Sequence, residues 1–507
     1  MAGGCRTRRE HAGWSLAVST LTLDVGEWAE ENFGGCALGD VRRTRRAVTV
    51  AQQMAEHPDG STPDQAEEWS DLKAMSRLFD ADEATFTALA TPHWQRTRSL
   101  ARGTVLLIGD TTETDFGIRR AVAGLGPTGD GYGLGFFLHS SMMVDAASGE
   151  ILGLAGQELF YRQPVPKDEN SYQRLQRSPE SEVWGRVVEL VGPPAEGVRF
   201  VHVFDRGADN LDVFCHCRAQ RTDWVIRAAQ WHRVVEEVDN DGHIEHTAGT
   251  DNDDNDCIYG CHDKETSARD GAKRLSLCAA LLKQPLSGTY ELSVGATKDH
   301  EARTARLQVR FARVTIRRPK RRTKYQHAID FQELTQGVIE TCEVDPPKRV
   351  TPLHWILWTS LPVTSFDDAR QIIEHYERRW LIEEFHKAIK TGCRLEARQF
   401  REAHRLEAVA GFTCVLAVRL LQLKTVATTT PDLPAARVVP AIWLKMLGAL
   451  RKRKLTTVRD FFRHLAGLGG FLMRKRDGNP GWITLWRGLD KLLLAIRGFV
   501  AMNQRCG

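Results

Sequence analysis

Two short apolar runs, each leading to an aspartate, constrain the fold of this chain most strongly. The first run, Thr104–Ile108, is followed by Gly109 and Asp110, and the second run, Gly197–Phe204, is followed directly by Asp205. Apolar runs of this length predict buried strands. If the two strands lie side by side in one sheet, their ends bring the two aspartates together.

The sequence around these strands predicts the rest of an α/β core. Two more strands are predicted at Gly135–Val144 and Glu150–Phe160, and another at Trp224–Arg227. A helix is predicted where apolar residues recur at helical spacing, at Trp184, Val187, Val188 and Val191. The predicted order is three strands in a meander, a helix, a strand and a further strand.

The region before this core, residues 25–100, has a helical pattern. Asp40 can cap a helix there. Its inner side can be formed by Val41, Val48, Ala51 and Ala55, and its arginines are Arg42, Arg43, Arg45 and Arg46. Four arginines in one short helix are suited to contacts with phosphates and guanines, although a solvated helix has the same composition.

Residues 233–349 are polar and alternate in places, which predicts a β-rich insertion. Residues 303–324 contain ten Arg or Lys and no Asp or Glu, so we expect a basic edge on this insertion. Residues 251–256 form an acidic counter-run with no evident role. The nearby Cys257, Cys261 and His262 suggest zinc only weakly, because no second pair of ligands lies at finger spacing.

The segment Phe366–Lys390 predicts one continuous helix with two unlike faces. Ser365 can cap it, with Asp368 in the reciprocal capping position, and Gly392 suits its end. At about 100° per residue, Tyr376, Arg379, Glu383 and Lys390 share one face, and Leu381, Phe385 and Ile389 share the opposite one. From geometry alone, a solvated face with incidental ion pairs is the more common explanation of such a polar side.

Composition excludes several classes of protein. The 507 residues, 42% of them apolar, suffice for about three globular domains, and a net charge of +4 indicates no partner by itself. Eleven scattered cysteines indicate reduced thiols rather than a disulfide framework. The N-terminus is too polar for a signal peptide. The longest apolar stretch, Ala408–Val418, is too short to span a bilayer and predicts a buried helix.

Carboxylates at strand ends and on a helix suit phosphoryl transfer. Three such groups can hold two Mg²⁺ ions about 4 Å apart, one beside the attacking oxygen and one beside the leaving oxygen of a phosphodiester. Asp110, Asp205 and Glu383 form such a set if the fold brings them together. Taken singly, each aspartate is more simply explained as a turn or cap residue that follows a strand.

The predicted helix resembles a segment of a known enzyme family. Tyr376, Arg379, Glu383 and Lys390 match the Y-(2)-R-(3)-E-(6)-K signature of a family of bacterial insertion-sequence DDE transposases, and residues 376–392 resemble it nearly residue for residue. Further resemblance, in the family's order, lies in Ala37–Thr44, Ile108–Thr112, Phe204–Asp209, Leu468–Leu472 and Thr484–Gly488.

The resemblance implies an α/β fold in which a ribonuclease-H-like catalytic core is interrupted by the β-rich insertion and flanked by helical N-terminal and C-terminal domains. The implied parts are a tail at 1–24, a DNA-binding domain at 25–100, a catalytic domain at 101–232 and 350–425, the insertion at 233–349 and a dimerisation region at 426–507.

The resemblance also implies roles for single residues. Asp110, Asp205 and Glu383 would be the catalytic ligands of two Mg²⁺ ions, with Mn²⁺ as an expected substitute. Trp355, twenty-one residues before the signature tyrosine, would stack on a flipped base at a DNA hairpin, and Arg227 would help to hold that hairpin. The alternatives are a core tryptophan and a surface arginine. The other implied DNA-contacting residues are Tyr376, Arg379, Lys387, Lys390, Arg42, Arg43, Arg45 and Arg46.

The implied function is excision and strand transfer of an insertion sequence through nicking, hairpin formation and hairpin resolution. The expected partners are double-stranded DNA, at terminal inverted repeats and at a target, and a second copy of the chain in a paired-end complex. The expected location is the bacterial cytoplasm, at the nucleoid, without membrane contact. Two alternatives stay open, a stand-alone nuclease and a catalytically silent transposase-derived DNA-binding protein or inhibitor.

Overall fold

The computed structural model describes residues 24–119, 122–129, 131–162, 166, 168–170, 173, 180–237, 266–267, 273–295, 301–318, 332–474 and 477–505. The N-terminal elements are α1 (Val25–Phe33), α2 (Val41–Glu56), α3 (Thr62–Gln65), α4 (Trp69–Phe79), α5 (Phe86–Ser99), β1 (Thr104–Asp115), β2 (Gly126–Thr128), β3 (Gly133–Asp145) and β4 (Ile151–Phe160).

The central elements are mostly strands. They are α6 (Glu182–Val191), β5 (Arg199–Phe204), a 3₁₀ turn (Arg206–Ala208), α7 (Leu211–Ala219), β6 (Asp223–Arg227), β7 (Val234–Glu237), β8 (Thr266–Ser267), β9 (Lys273–Ser276), α8 (Leu277–Leu282), β10 (Gly288–Val294), β11 (Arg303–Arg317), β12 (Glu333–Val344) and β13 (His354–Thr359).

The C-terminal elements are helical, as the sequence predicts. They are α9 (Phe366–Glu377), α10 (Trp380–Lys387), a π-helical turn (Ala388–Gly392), a 3₁₀ turn (Leu395–Ala397), α11 (Ala403–Thr429), a second 3₁₀ turn (Ala435–Arg437), α12 (Ala441–Arg451), α13 (Val458–Leu468) and α14 (Trp482–Arg505).

The described residues divide into two compact units, here named the helical unit and the sheet unit. The helical unit is drawn from Met1–Arg102, Thr111–Gln163 and Leu381–Gly507. The sheet unit is drawn from Gly103–Asp110 and Pro164–Trp380. β1 contributes residues to both units, with the division falling after Asp110.

The strands of the sheet unit form one mixed sheet. β1 pairs in parallel with β5, and β5 pairs in parallel with β6. The strands β6, β13, β12 and β11 then follow one another in antiparallel pairs, and β10 and β7 also pair with β11. The strands within residues 233–349 therefore continue the same sheet that carries Asp110.

The helical unit is organised around α11. Ala408–Val418 is buried within this helix, as predicted. α11 is long and apolar enough to cross a membrane by length and composition alone, but 94% of its most apolar window is buried inside the protein. Phe412 stacks on Phe33 of α1 with ring centroids 5.0 Å apart. α11 is thus the core helix of this unit.

Two predictions about local structure are wrong. β1, predicted to end near Ile108, continues to Asp115 because threonine suits a strand and its buried hydroxyl finds a partner. The hydroxyl of Thr114 donates to the carbonyl of Phe136, 2.8 Å away in β3. Val41, predicted to face inward, is 62% exposed because it is the first residue of α2, whose first buried residue is Ala47.

A close contact between β1 and β5 accounts for Gly109, which precedes Asp110. A Cβ atom at this position would lie 2.4 Å from the ring of Phe204, a distance that requires the ring or the strand to move. The ring of Phe204 is itself held edge-on by Trp184 of α6, with centroids 5.0 Å apart. The sheet therefore requires glycine beside the aspartate.

We predict that Gly109→Ala destabilises the sheet unit by about 1–3 kcal/mol, because the added methyl group overpacks a buried contact. The midpoint of urea unfolding measures the effect. Gly295→Ala is the matched control, since a Cβ at Gly295 meets nothing within 4 Å. Equal stability of the two variants would contradict the role assigned to the Phe204 ring.

Candidate active site

Asp110 and Asp205 lie at matching positions of neighbouring parallel strands. The last paired residues of β1 and β5 are Ile108 and Val203, and each aspartate lies two residues further along its strand direction. Paired strands lie about 4.8 Å apart. The two half-buried aspartates therefore lie just beyond the same end of the β1–β5 pairing.

The side chain of Asp205 is held in a defined orientation. Its Oδ1 accepts a hydrogen bond from the amide nitrogen of Gly207 at 2.7 Å, which starts the 3₁₀ turn after β5. A side chain bonded to its own backbone two residues on is restricted before any ligand arrives. The carboxylate of Asp205 is thus positioned by local structure.

Arg379 and Tyr376 of the signature also reach this end of the sheet. The Nη1 of Arg379 donates to Oδ2 of Asp110 at 3.4 Å, and both side chains are about one-fifth exposed. Tyr376 is 5% exposed, and burial raises the pKa of its hydroxyl although the charges of Arg227 and Arg379 oppose the rise. Arg227 also donates a hydrogen bond to Tyr376.

The continuous helix predicted for Phe366–Lys390 is interrupted. The predicted cap is present, because Ser365 and Asp368 form a capping box. However, α9 ends at Glu377, α10 begins at Trp380, and Lys390 lies in a π-helical turn. Arg378 and Arg379 lie between the two helices, and the second of them pairs with Asp110. Tyr376 consequently belongs to the buried interior rather than to a solvated face.

Glu383 lies on the exposed side of α10, in the helical unit. The opposite side is apolar as predicted, with Leu381, Phe385 and Ile389 buried. The structure therefore presents Glu383 at the helix surface. Its place beside the two aspartates remains a prediction.

The next residue, Glu384, has a structural role. It is buried and accepts hydrogen bonds from Lys424 and Trp482, and from Lys387 at 3.2 Å. Burial raises the pKa of Glu384, but these donors outweigh burial and leave the pKa below its usual value. Of these two adjacent glutamates, Glu384 is therefore held by hydrogen bonds inside the helical unit, and only Glu383 is exposed.

The two lysines predicted to contact DNA lie near protein carboxylates. Lys387 is 63% exposed in its ion pair with Glu384. The Nζ of Lys390 lies 3.4 Å from Glu396, and its side chain is 31% exposed. Of the two, Lys387 is therefore the more accessible to a DNA phosphate.

A cleft of about 410 Å³ opens beside Arg227 at the end of β6. Its lining residues are Arg206, Arg227, Ala228, Ala229, Trp231, Thr351, Pro352, Leu353, His354, Trp355 and Ile356. Trp355 is half-buried and meets Tyr376 edge-on, with centroids 5.7 Å apart. Trp358, in the same strand, is fully buried. Trp355 is therefore a cleft residue, which argues against the core alternative.

Asp209 is an organising residue that the sequence did not single out. Its fully buried carboxylate accepts from the amides of Ala229 and Gln230 at 2.7 and 3.2 Å, and from Nη2 of Arg233 at 2.8 Å. These bonds connect the 3₁₀ turn after Asp205 to the cleft wall at residues 228–233. The sequence feature that could have indicated this role is the second aspartate of the Phe204–Asp209 motif, four residues after the first.

The four arginines of α2 divide into two pairs. Arg43 lies 2.7 Å from Glu83, and Arg46 lies 3.2 Å from Asp71. Arg42 and Arg45 are exposed. Only this second pair is presented to solvent without an ion-pair partner among the described residues.

The basic edge predicted for residues 303–324 stays a prediction, because residues 319–324 lie outside the described residues. Arginines of β11 pair with carboxylates of neighbouring strands, which the sequence of one strand cannot show. The pairs are Arg303 with Glu343, Arg306 with Asp345, Arg310 with Glu340 and Arg317 with Glu236. The acidic run at 251–256, with Cys257, Cys261 and His262, lies outside the described residues.

Among the described residues, one group of three side chains, in the helical unit, lies close enough together to hold a metal ion. Asp80, Glu402 and His404 lie close together and are exposed. Arg405 already pairs with both carboxylates, at 2.5 and 3.5 Å. That cation disfavours a second positive charge, so we assign this cluster to an ion-pair network. The oxygen donors of Asp110 and Asp205 fit Mg²⁺ better.

We predict that Asp209→Asn destabilises the sheet unit by about 3–5 kcal/mol, because it leaves the guanidinium of Arg233 without its buried counter-charge. Urea unfolding measures the loss. Asp345→Asn is the control, since its pair with Arg306 is exposed, at 88% and 60%, and should contribute less than about 1 kcal/mol. A change no larger for Asp209→Asn than for the control would show that the buried pair does not hold the loop.

Comparison with known families agrees with this geometry. Residues 25–84 match the transposase DNA-binding family, and this range includes the arginines of α2. Residues 180–418 match the transposase DDE domain family, and this range includes Asp205 and Glu383. Asp110 precedes the second match and is connected to it by the pairing of β1 with β5. The chain therefore carries the two domains of a DNA transposase, a DNA-binding domain followed by a DDE domain of the ribonuclease-H-like superfamily.

Proposed function

We propose that this transposase excises and inserts a DNA element using Asp110, Asp205 and Glu383 as the ligands of two Mg²⁺ ions. The observation that carries the proposal is the matching position of the two aspartates, each two residues beyond the last residue pair of the parallel strands β1 and β5. Glu383 is supported by its exposed position on α10 and by its match to the signature of the Y-R-E-K family. Mn²⁺ is the expected substitute ion.

The carboxylate oxygens suit the chemistry of such a site. Mg²⁺ prefers oxygen ligands, and DDE transposase domains depend on metal ions. A bound pair of ions would activate the attacking oxygen and stabilise the leaving oxygen of the phosphodiester. Asp205 contributes an oriented carboxylate because Gly207 restrains it, and Arg379 restrains Asp110 in the same way.

The cationic and aromatic residues beside the aspartates would hold the DNA strand. Arg379 is a guanidinium next to a carboxylate at the surface of the site, so it can bind a phosphate oxygen. Arg227 lines the cleft, and its Nη2 is fixed by the carbonyl of His354 at 3.1 Å. Trp355 offers an aromatic ring to the same cleft, where an extruded base could stack. These features support the hairpin step.

The flanking regions fit recognition and pairing of element ends. The exposed Arg42 and Arg45 support end recognition by α2. For α14, Leu492 and Leu493 are buried within the helical unit, whereas Leu494 is 61% and Val500 40% exposed. We propose that these exposed residues, with the helices after Pro431, contact a second copy of the chain in a paired-end complex.

The two alternative functions, a stand-alone nuclease and a silent DNA-binding protein or inhibitor, have less support than a transposase. A stand-alone nuclease would not need the DNA-binding domain that residues 25–84 match. A silent DNA-binding protein or inhibitor would be favoured by the loss of a carboxylate, and Asp110, Asp205 and Glu383 are all present.

We predict that Asp110→Asn, Asp205→Asn and Glu383→Gln each abolish nicking of a duplex that carries the repeats flanking the gene, but leave DNA binding intact. Each change removes a charged metal ligand and little volume. Nicking with Mg²⁺ and gel-shift binding are measured on the same preparations.

Glu384→Gln is the matched control. It removes the neighbouring carboxylate, which is bonded to Lys424, and should lower the thermal midpoint while folded molecules still nick DNA. Substantial cleavage by any one of the three ligand variants would reject the proposed site.

We predict that Arg42→Ala combined with Arg45→Ala weakens binding to terminal-repeat DNA and makes it less dependent on salt, because each lost phosphate contact reduces the salt slope by roughly 0.9. Arg43→Ala combined with Arg46→Ala should instead lower the thermal midpoint, since these side chains are ion-paired. If both double variants bound DNA with the wild-type affinity and salt slope, α2 would not be the recognition element.

A further inference from the structure

The cleft beside Arg227 has a second aromatic residue that the proposed function does not use. Trp231 lines the cleft together with Trp355, but from a different part of the chain. Trp355 belongs to β13, whereas Trp231 lies in the loop of residues 228–233 that follows β6. The side chain of Trp231 is half-buried. Two indole rings therefore border one space.

The charges around this space are positive. Arg206 and Arg227 line it, and no described lining residue is acidic. His354 also lines the cleft, but its Nε2 is 2.9 Å from Glu340, which orients the ring. Aromatic surfaces beside guanidinium groups recognise a planar base that carries a phosphate. The chemistry of the cleft therefore matches a nucleotide.

The loop that carries Trp231 is held from three sides. Asp209 binds the amides of Ala229 and Gln230. The amide of Ala228 donates to the carbonyl of Ile356 at 2.7 Å, and the carbonyl of Trp231 accepts from Cys278 at 3.1 Å. A side chain on a restrained backbone loses less entropy when it binds a ligand. Trp231 is thus preorganised at the cleft.

Packing alone does not explain Trp231. Its ring contacts those of His232 and His354, with centroids 5.7 and 6.3 Å apart, and still remains partly open to solvent. Trp358, which contacts the same loop through the guanidinium of Arg233, is fully buried and shows what a core tryptophan of this region looks like.

We propose that Trp231 is a specificity-determining residue that contacts an extruded DNA base together with Trp355. The inference rests on the proposed transposase function and assigns a second aromatic surface to its hairpin step. Trp355 supplies one ring surface, Trp231 supplies the other, and Arg206 and Arg227 hold the phosphate. Larger bases gain more from two ring surfaces, so Trp231 selects which end nucleotide is extruded.

The test uses the full-length chain and a duplex that carries the gene's flanking repeats, with 2-aminopurine placed in turn at each of the last positions of the element. Base extrusion is followed by fluorescence in Ca²⁺, so that binding is read without cleavage. Nicking and hairpin formation are then measured in Mg²⁺. The variants are Trp231→Ala, Trp231→Phe and Trp355→Ala. Val234→Ala is the control, because Val234 follows the loop, is 54% exposed and does not line the cleft.

With the wild-type chain, we expect a fluorescence change at one end position. Trp231→Ala should reduce that change and slow hairpin formation about ten- to hundredfold, which is the loss of one stacking partner. Nicking should stay at the wild-type rate, Trp231→Phe should restore part of the hairpin rate, and Val234→Ala should behave as wild type.

Three results would overturn the inference. They are an unchanged fluorescence response in Trp231→Ala, an equal loss of nicking and hairpin formation, or no recovery in Trp231→Phe. Failure of the proposed function is distinguishable, because the wild-type chain would then cut no DNA or form no hairpin. The fluorescence signal would still show whether a base enters the cleft and depends on Trp231.

Discussion

The contact between the ring of Phe204 and the backbone of Gly109 is the constraint on which the candidate site depends. It lets β1 and β5 approach closely enough to pair in parallel up to the residues before Asp110 and Asp205. Parallel pairing in turn places both aspartates two residues beyond the last pair of the two strands, on the same side of that pair. The positions of the two carboxylates therefore follow from one apolar contact.

The arginines of the sheet unit show two uses of the same side chain. Along β11 they form ion pairs with glutamates of adjacent strands, and these glutamates neutralise their charges within the sheet. Arg379 and Arg227 are instead held by groups at the site, a carboxylate and a backbone carbonyl, while remaining partly accessible. Donors fixed before the substrate arrives need no reorganisation during the reaction. Position in the fold thus separates structural from functional cations.

Local sequence patterns predicted much of this arrangement. Apolar runs located β1, β5 and β6, and the Ser365–Asp368 capping box located the start of α9. The break after Glu377 was not predictable, because the sequence there has helical periodicity and no Gly or Pro. The residues at the break include Arg379, whose partner Asp110 is distant in the sequence. The ion pairs of β11 depend on strand register, which no single segment encodes.

The role of Asp209 was hidden for the same reason. Its partners lie 20 to 24 residues further along the chain and belong to a loop with no regular pattern. Trp231 was missed because a lone tryptophan in a polar loop has no periodic context. Residues that act through long-range hydrogen bonds or through the shape of a cleft become visible only in three dimensions.

The bonds that hold Glu384 have a consequence for its neighbour. Adjacent residues of a helix point about 100° apart, and a helix with two successive glutamates could present either of them at its surface. Lys424 and Trp482 bind Glu384 and so fix the rotation of α10 about its own axis. The π-helical turn that follows can accommodate one additional residue. Such a change in length there does not rotate the preceding residues of α10. Insertions and deletions beyond Lys387 should therefore be tolerated more readily than those before it, because they leave the choice between the two glutamates unchanged.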